Sequence, residues 1–285
     1  MQANLAHLLT RTARCMPEQP AVFLGADCHA TFAELADRVG RAAHGLQLQL
    51  GLRHGDRVAI AMGNCPQYVE LMFAIWHAGL CAVPVNAKLH PREIAYIVEH
   101  SGARVCFVDD ALNAAVTSAL DHKVLTIVAD DAADYEPLFS FAPIEPAAVA
   151  NDEIAWLFYT SGTTGQPKGA MLSHRNLTAM SWSHGGAVGP VSARHRLIHA
   201  APMSHGSGLY LLPYLAEGAA QVIPRSGGFD VAEMVELIAA HPSTRFFAAP
   251  TMLRRLVEHV SQTGAAVGNL ETVICGGAPL YLEDC

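Results

Sequence analysis

From Arg57 onward the chain alternates short runs of β-branched and apolar residues with amphipathic stretches of helical length, and few folds accept that alternation. Residues 58–61, 81–85, 105–108 and 124–128 read as strands, with helical spacing over 67–78, 91–100 and 111–120 between them. Strand, helix and strand in repeated order make a parallel sheet with right-handed crossovers. The alternation breaks at Asp130-Asp131-Ala132-Ala133-Asp134-Tyr135-Glu136-Pro137, where acids and turn residues predict a surface excursion. It breaks again at Gly185-Gly186-Ala187-Val188-Gly189-Pro190, where glycine and proline are expected to interrupt any regular element. The pattern then restarts, with strands at 197–200, 221–223, 245–248 and 272–275 and helices at 209–216, 231–241 and 251–262. Two sheets are expected rather than one.

The stretch Thr160-Ser161-Gly162-Thr163-Thr164-Gly165-Gln166-Pro167-Lys168-Gly169 interrupts this apolar architecture with chemistry. Its glycines leave no Cβ in the way of a ligand and let consecutive N–H groups converge on one oxyanion. Thr160, Ser161, Thr163 and Thr164 add hydroxyl donors, and Lys168 adds a full positive charge. The apolar run Ile154-Ala155-Trp156-Leu157-Phe158-Tyr159 before it suits a buried strand, and Ser173 after it is placed to cap a helix. A solvated turn would have no need of the terminal lysine. A nucleotide P-loop is excluded by order, because that motif puts Ser or Thr after Gly-Lys, whereas here Pro167 precedes Lys168 and Gly169 follows it. What remains is a loop that wraps a phosphate chain.

Composition bounds the partners. With 51% hydrophobic and 15% charged residues in 285, the chain can bury a large core. Its formal charge of -8 argues against nucleic acid, so an anionic nucleotide must be held by local features. The seven cysteines (Cys15, Cys28, Cys65, Cys81, Cys106, Cys275 and Cys285) are odd in number and never form a Cys-x-x-Cys pair, which points to free thiols in a reducing cytoplasm. The first fifteen residues lack the apolar centre of a signal peptide, and residues 71–85 are too short to span a bilayer. The expectation is a cytoplasmic protein.

Two further segments invite functional readings. His205 lies among glycines in Pro202-Met203-Ser204-His205-Gly206-Ser207-Gly208, and Gly276-Gly277-Ala278-Pro279 follows a strand, at the end where α/β sheets bind ligands. His195, His199 and His205 match no metal-binding spacing, so no metal ligand is assigned. Ser161, Ser204 and Ser207 lie in no Gly-x-Ser-x-Gly elbow, which disfavours a serine hydrolase. No residue is assigned a catalytic role with certainty.

The run from Tyr159 to Gly169, continuing into Met171-Leu172-Ser173-His174-Arg175-Asn176-Leu177, resembles the signature loop of the adenylate-forming, AMP-binding enzymes. That superfamily includes acyl-CoA synthetases, peptide-synthetase adenylation domains and beetle luciferases. Thr31-Phe32-Ala33-Glu34-Leu35, Gly55-Asp56-Arg57-Val58-Ala59-Ile60, Trp76-His77-Ala78-Gly79 with Val83-Pro84-Val85-Asn86, Pro202-Met203-Ser204-His205 and Gly276-Gly277-Ala278-Pro279 resemble its other amino-terminal motifs in order. The resemblance therefore covers essentially the whole chain.

It implies an α/β fold of two Rossmann-like βα subdomains with largely parallel sheets, ending before the family's β-barrel and C-terminal lid. Residues 50–189 would form the first subdomain with the phosphate loop, 190–285 an incomplete second, and 1–49 a segment packing with the second. In the family a carboxylate attacks the α-phosphorus of ATP to give an acyl-adenylate and pyrophosphate, and CoA then takes the acyl group. By resemblance Thr160, Ser161, Gly162, Thr163, Thr164, Gly165 and Lys168 bind the ATP phosphates, while His205, Gly276, Gly277, Ala278 and Pro279 line the acyl and adenylate pocket. ATP, Mg2+ and CoA are implied, together with a small carboxylate substrate, and a homodimer stays open. The family's Tyr-Gly-x-Thr-Glu motif, ribose-binding Asp and adenylation lysine have no counterpart here, so this chain alone is expected to turn over little or nothing. The His-containing segment resembles acyl- or aryl-CoA synthetases; a peptide-synthetase adenylation domain and a non-catalytic nucleotide-binding module remain the alternatives.

Overall fold

A computed structural model of the chain describes residues 4–120, 123–160 and 166–279. In chain order the elements begin with α1 (Ala6–Cys15), the strands β1 (Pro20–Leu24) and β2 (Asp27–Thr31), and α2 (Phe32–Leu48). The βα units follow: β3 (Arg57–Ala61), α3 (Pro66–His77), β4 (Cys81–Pro84), α4 (Pro91–Ser101), β5 (Ala103–Val108), α5 (Asp110–Ala119) and β6 (Leu125–Val128). A short α6 (Ala132–Tyr135) and a 3-10 turn (Glu136–Phe139) lead to β7 (Ile154–Thr160), β8 (Lys168–Ser173) and α7 (His174–Ala187). The last elements are β9 (Arg196–Ile198), α8 (Gly206–Ala216), β10 (Ala220–Ile223), α9 (Val231–Ala240), β11 (Thr244–Ala248), α10 (Pro250–Thr263) and β12 (Leu270–Cys275).

The strands form two six-stranded sheets of one plan, ordered β6-β5-β3-β4-β7-β8 and β12-β11-β9-β10-β1-β2. In each, neighbours run parallel except for the edge hairpin, β7–β8 in one and β1–β2 in the other. The α/β class with two largely parallel sheets is thus as the sequence implied. The edge strands β2 and β8 escaped the sequence pattern, because antiparallel edges face solvent on one side and lack a continuous apolar run. Central strands show the opposite: β4 and β10 are buried at every residue.

Two compact units carry these sheets. One comprises Met1–Thr10, Glu34–Gly63 and Gln67–Ala179; the other comprises Arg11–Ala33, Asn64–Pro66 and Met180–Cys285. Each has its own core, built from Val83, Ile94, Cys106, Val108 and Tyr159 in the first and from Ile198, Val222, Met234, Ile238 and Phe246 in the second.

Two sequence expectations need correction. The acidic stretch at 130–137 is only half a surface excursion: Asp130, Asp131 and Asp134 are exposed, but Tyr135 and Leu138 are buried. Tyr135 donates its hydroxyl to Glu70, a buried carboxylate that also takes Arg38 Nε at 2.5 Å, and Arg38 lies 3.8 Å over the Phe139 ring. The segment is an anchored turn. Helix α7, for its part, runs straight through Gly185 and Gly186 to Ala187. Each glycine costs such a helix about 1 kcal/mol relative to alanine, which a well-capped and packed helix tolerates. Here the Ser173 Oγ accepts from Asn176 N at 3.2 Å, Asn176 Oδ1 accepts from Ser173 N at 3.0 Å, and His184 packs edge-on against Tyr210 and Tyr214. The chain turns away two residues after the helix, at Gly189, whose φ of 132° only glycine adopts readily.

Candidate functional site

The glycine-rich loop singled out in the sequence begins at the carboxyl end of β7. Thr160 and Lys168 are register partners closing the antiparallel pair β7–β8, and both are exposed. Ser161, Gly162, Thr163, Thr164 and Gly165 lie outside the described residues. The connection from 161 to 167 is longer than the roughly 2–5 residues a hairpin needs. Among the described residues no salt bridge to Lys168 is found.

The stems of this hairpin are held from below. Tyr159 is 5% exposed, and an added Cβ on its register partner Gly169 would come within 3.0 Å of the tyrosine ring. The tyrosine oxygen meets His100 Nδ1 at 2.7 Å, and Tyr96 donates to Gln166 Oε1 at 3.3 Å. Burial pushes the Tyr159 hydroxyl above its ordinary pKa, so it stays protonated. Tyr96 and His100 were missed by the sequence reading. Their spacing on α4 was visible, yet nothing in it says which strand they face.

In the second unit the segments carrying His205 and Gly276 both follow parallel strands, β9 and β12, and therefore leave the same edge of the sheet. Phe247 joins them. A Cβ on Gly206 would lie 2.7 Å from its ring, and one on Gly276 would lie 3.2 Å away, so both backbones pack closely against that ring. The Phe247 ring lies 5.7 Å from that of Tyr210, which gives the niche an aromatic floor. His205 stands partly exposed at the amino end of α8, its Nδ1 2.9 Å from Ser204 Oγ. Gly277 has φ 86° with nothing within 4 Å, and Gly277, Ala278 and Pro279 are exposed.

The segment leading to His205 is pinned by Asn64, a residue of the same unit that the sequence reading passed over. Its Nδ2 donates to the carbonyls of His199 and Ala201 at 2.7 and 2.9 Å, and its Oδ1 accepts from Met203 N at 2.9 Å. His199 itself is a core residue. It is fully buried, with Nδ1 2.8 Å from Ser207 Oγ and Nε2 2.9 Å from Gln221 Oε1, and burial pushes its pKa down to about 4. His195 is likewise committed, to Arg245 at 2.9 Å and to Ser192.

A Gly206→Ala substitution is expected to cost about 2 kcal/mol, because its Cβ must displace the Phe247 ring. Thermal unfolding reads the loss. An unchanged midpoint would show that the ring is free to move and that the close approach is incidental.

A cavity of about 210 Å³ lies at the opposite, amino-terminal edge of the first sheet, lined by Arg57, Cys81, Glu153, Leu157, Met171 and His174 among others. Burial pushes the Cys81 thiol up to about 12, so it supplies no thiolate there. At the carboxyl edges of the two sheets stand the exposed pair Thr160 and Lys168 in one unit, and Gly206, Gly276 and Phe247 beside His205 in the other.

The family model of the AMP-binding enzyme matches residues 9–285. A feruloyl-CoA synthase from an Amycolatopsis species is 35% identical over 276 residues, covering 95% of this chain and 53% of that protein. The ATP-bound MatB of Rhodopseudomonas palustris superposes with a TM-score of 0.86 at 26% identity over 100% of this chain and 56% of its own. The o-succinylbenzoate CoA synthetase MenE of Bacillus subtilis, in complex with its acyl-adenylate intermediate, gives 0.83 at 30% identity over 98% of this chain and 55% of its own. The chain spans about half the length of the curated relatives it matches.

Proposed function

The chain belongs to the AMP-binding enzyme family, and from that premise we propose that it carries the nucleotide- and acyl-binding scaffold of an AMP-forming carboxylate–CoA ligase. The observation that carries this reading is the β7–β8 hairpin: Thr160 and Lys168 close it as an exposed register pair at the carboxyl end of a parallel strand. The carboxylate nucleophile needs no general base; the difficulty is negative charge gathering on the leaving pyrophosphate. The stretch from Thr160 to Lys168 is rich in the hydroxyls and glycine N–H groups, and carries the cation, that would meet that charge. Lys168 acts through its charge and not as a nucleophile.

The niche of Gly206, Gly276 and Phe247 supports a flat ligand resting on backbone, with His205 at its rim. Aryl or acyl carboxylates are the substrates proposed, hydroxycinnamates first among those to try, since a feruloyl-CoA synthase stands among the relatives. CoA is proposed as the acyl acceptor. Among the described residues no group of three His, Cys, Asp or Glu side chains is arranged to hold a metal ion, and no step is routed through one. Magnesium would arrive as the counterion of ATP.

Lys168→Ala is expected to weaken ATP binding about tenfold or more, the loss of one charge-assisted contact to phosphate. Titration calorimetry at fixed ionic strength measures it. Equal affinity in the variant would remove the lysine, and with it the phosphate-clamp reading. Pyrophosphate release across a panel of carboxylates then identifies the acid.

A further inference from the structure

Helix α4 is built as a rigid platform. His90 and Glu93 form a capping box at its start, Gly102 closes it with φ 70°, and Ile94, Ala95, Ile97 and Val98 bury its inner face. Tyr96 and His100 are four residues apart and so share a face. Their rings stack at 5.3 Å with 26° between planes. Each reaches a different stem of the β7–β8 hairpin. Tyr96 donates to Gln166, on the approach to β8, while His100 bonds Tyr159, the residue before Thr160 on β7, and meets its ring edge-on at 5.9 Å.

We infer that Tyr96 and His100 are positioning residues that hold both stems of the hairpin and thereby set the aim of Lys168. This rests on the phosphate-loop reading above for its consequence, though not for its geometry. The physical link is short. Tyr159 pairs with Gly169 and Thr160 with Lys168, and the Tyr159 ring touches the bare Cα face of Gly169. A ring released from His100 can tilt, and the backbone one residue from Lys168 has to follow it. His100 is exposed and Tyr96 only partly buried, so core packing alone does not account for the pair. The contact that matters is directional: an acceptor or donor at the height of Nδ1, in line with the tyrosine oxygen.

The test uses four variants, His100→Leu, His100→Gln, Tyr159→Phe and Lys168→Ala, each read by amide hydrogen exchange and by ATP titration. Losing a single hydrogen bond is expected to speed exchange of the 168–170 amides by about three- to tenfold in His100→Leu and Tyr159→Phe. Amides in α3 and β3 should keep their rates, and His100→Gln should restore much of the protection. ATP affinity should fall in parallel in His100→Leu and Tyr159→Phe and recover in His100→Gln. Exchange at 168–170 within twofold of the parent protein overturns the positioning role, whatever Lys168→Ala does to ATP. Exchange that rises throughout the unit also overturns it, because the effect would then be general stability. If the hairpin loosens as expected but Lys168→Ala binds ATP as tightly as before, the ladder stands as a device of the hairpin and the phosphate-clamp reading falls.

Discussion

Acidifying the protein from pH 6.5 to pH 4 is expected to strip several kcal/mol from its stability and to unfold it within that window. His174 in the first unit is 1% exposed, with Nδ1 accepting from Leu5 N at 3.2 Å, and His199 in the second is fully buried between Ser207 and Gln221. Burial pushes each down to about 4. An unfolded histidine titrates near 6.5, so between 6.5 and 4 the unfolded chain binds protons that the folded chain refuses. The stabilisation is therefore complete above the unfolded value and is lost as pH falls toward 4. Each residue contributes up to about 3 kcal/mol over that span, set against a total of about 5–15 kcal/mol for a domain. Urea unfolding at half-unit intervals of pH gives the slope, and His199→Gln should flatten it. A stability that stays level from pH 6.5 to 4.5 would mean that these histidines find water or a proton partner on folding.

Gly45→Ala should be the most damaging alanine substitution among the described glycines. Helix propensity favours alanine over glycine inside α2 by about 1 kcal/mol. Sterics outweigh it, because a Cβ on Gly45 would lie 2.3 Å from the carbonyl oxygen of Leu138 and 2.9 Å from its Cα. Those are backbone atoms, and they belong to the turn anchored by Tyr135 and Phe139, so no side chain can swing aside. A loss of about 3 kcal/mol or more is expected, measured as a lowered urea midpoint. Gly185→Ala is the matched control: it lies in α7 with nothing within 4 Å of its added Cβ, and alanine there should stabilise by about 0.5–1 kcal/mol. Two alanines of equal effect would show that helix propensity, not close approach, governs both sites.

The same contrast measures how far the sequence could be read. The strands and helices from Arg57 to Leu120 were legible because each is encoded by its own period, two or 3.6 residues, within a short window. The donor-rich composition of the loop from Thr160 to Gly169 was legible because hydroxyls, glycines and a lysine are adjacent in the chain. Even its flanks were, since Ser173 does cap α7. The hairpin geometry was not: Lys168 and Gly169 looked like the end of a loop and are the start of β8, because only pairing with β7 makes an exposed, glycine-bearing run into a strand. Nor did Gly185 and Gly186 announce that they lie inside a helix, a question settled by capping at Ser173 and by the packing of His184 on two tyrosines.

The histidines divide in the same way. His199 and His205 stand six positions apart on one segment, alike in sequence, yet one is sealed between Ser207 and Gln221 while the other opens at the mouth of α8. Likewise Phe247 has no motif of its own, and it became the floor of the niche because two glycines far from it in sequence lack side chains where its ring must lie.

By itself, then, the sequence determined the α/β class and membership of a family, since these rest on periodicity and on residues that are neighbours in the chain. The tertiary structure alone decided which glycines are sterically required, which histidines are available, and what holds the loop at its stems. These depend on atoms brought within a few ångströms by packing between distant segments, a distance that no local pattern encodes.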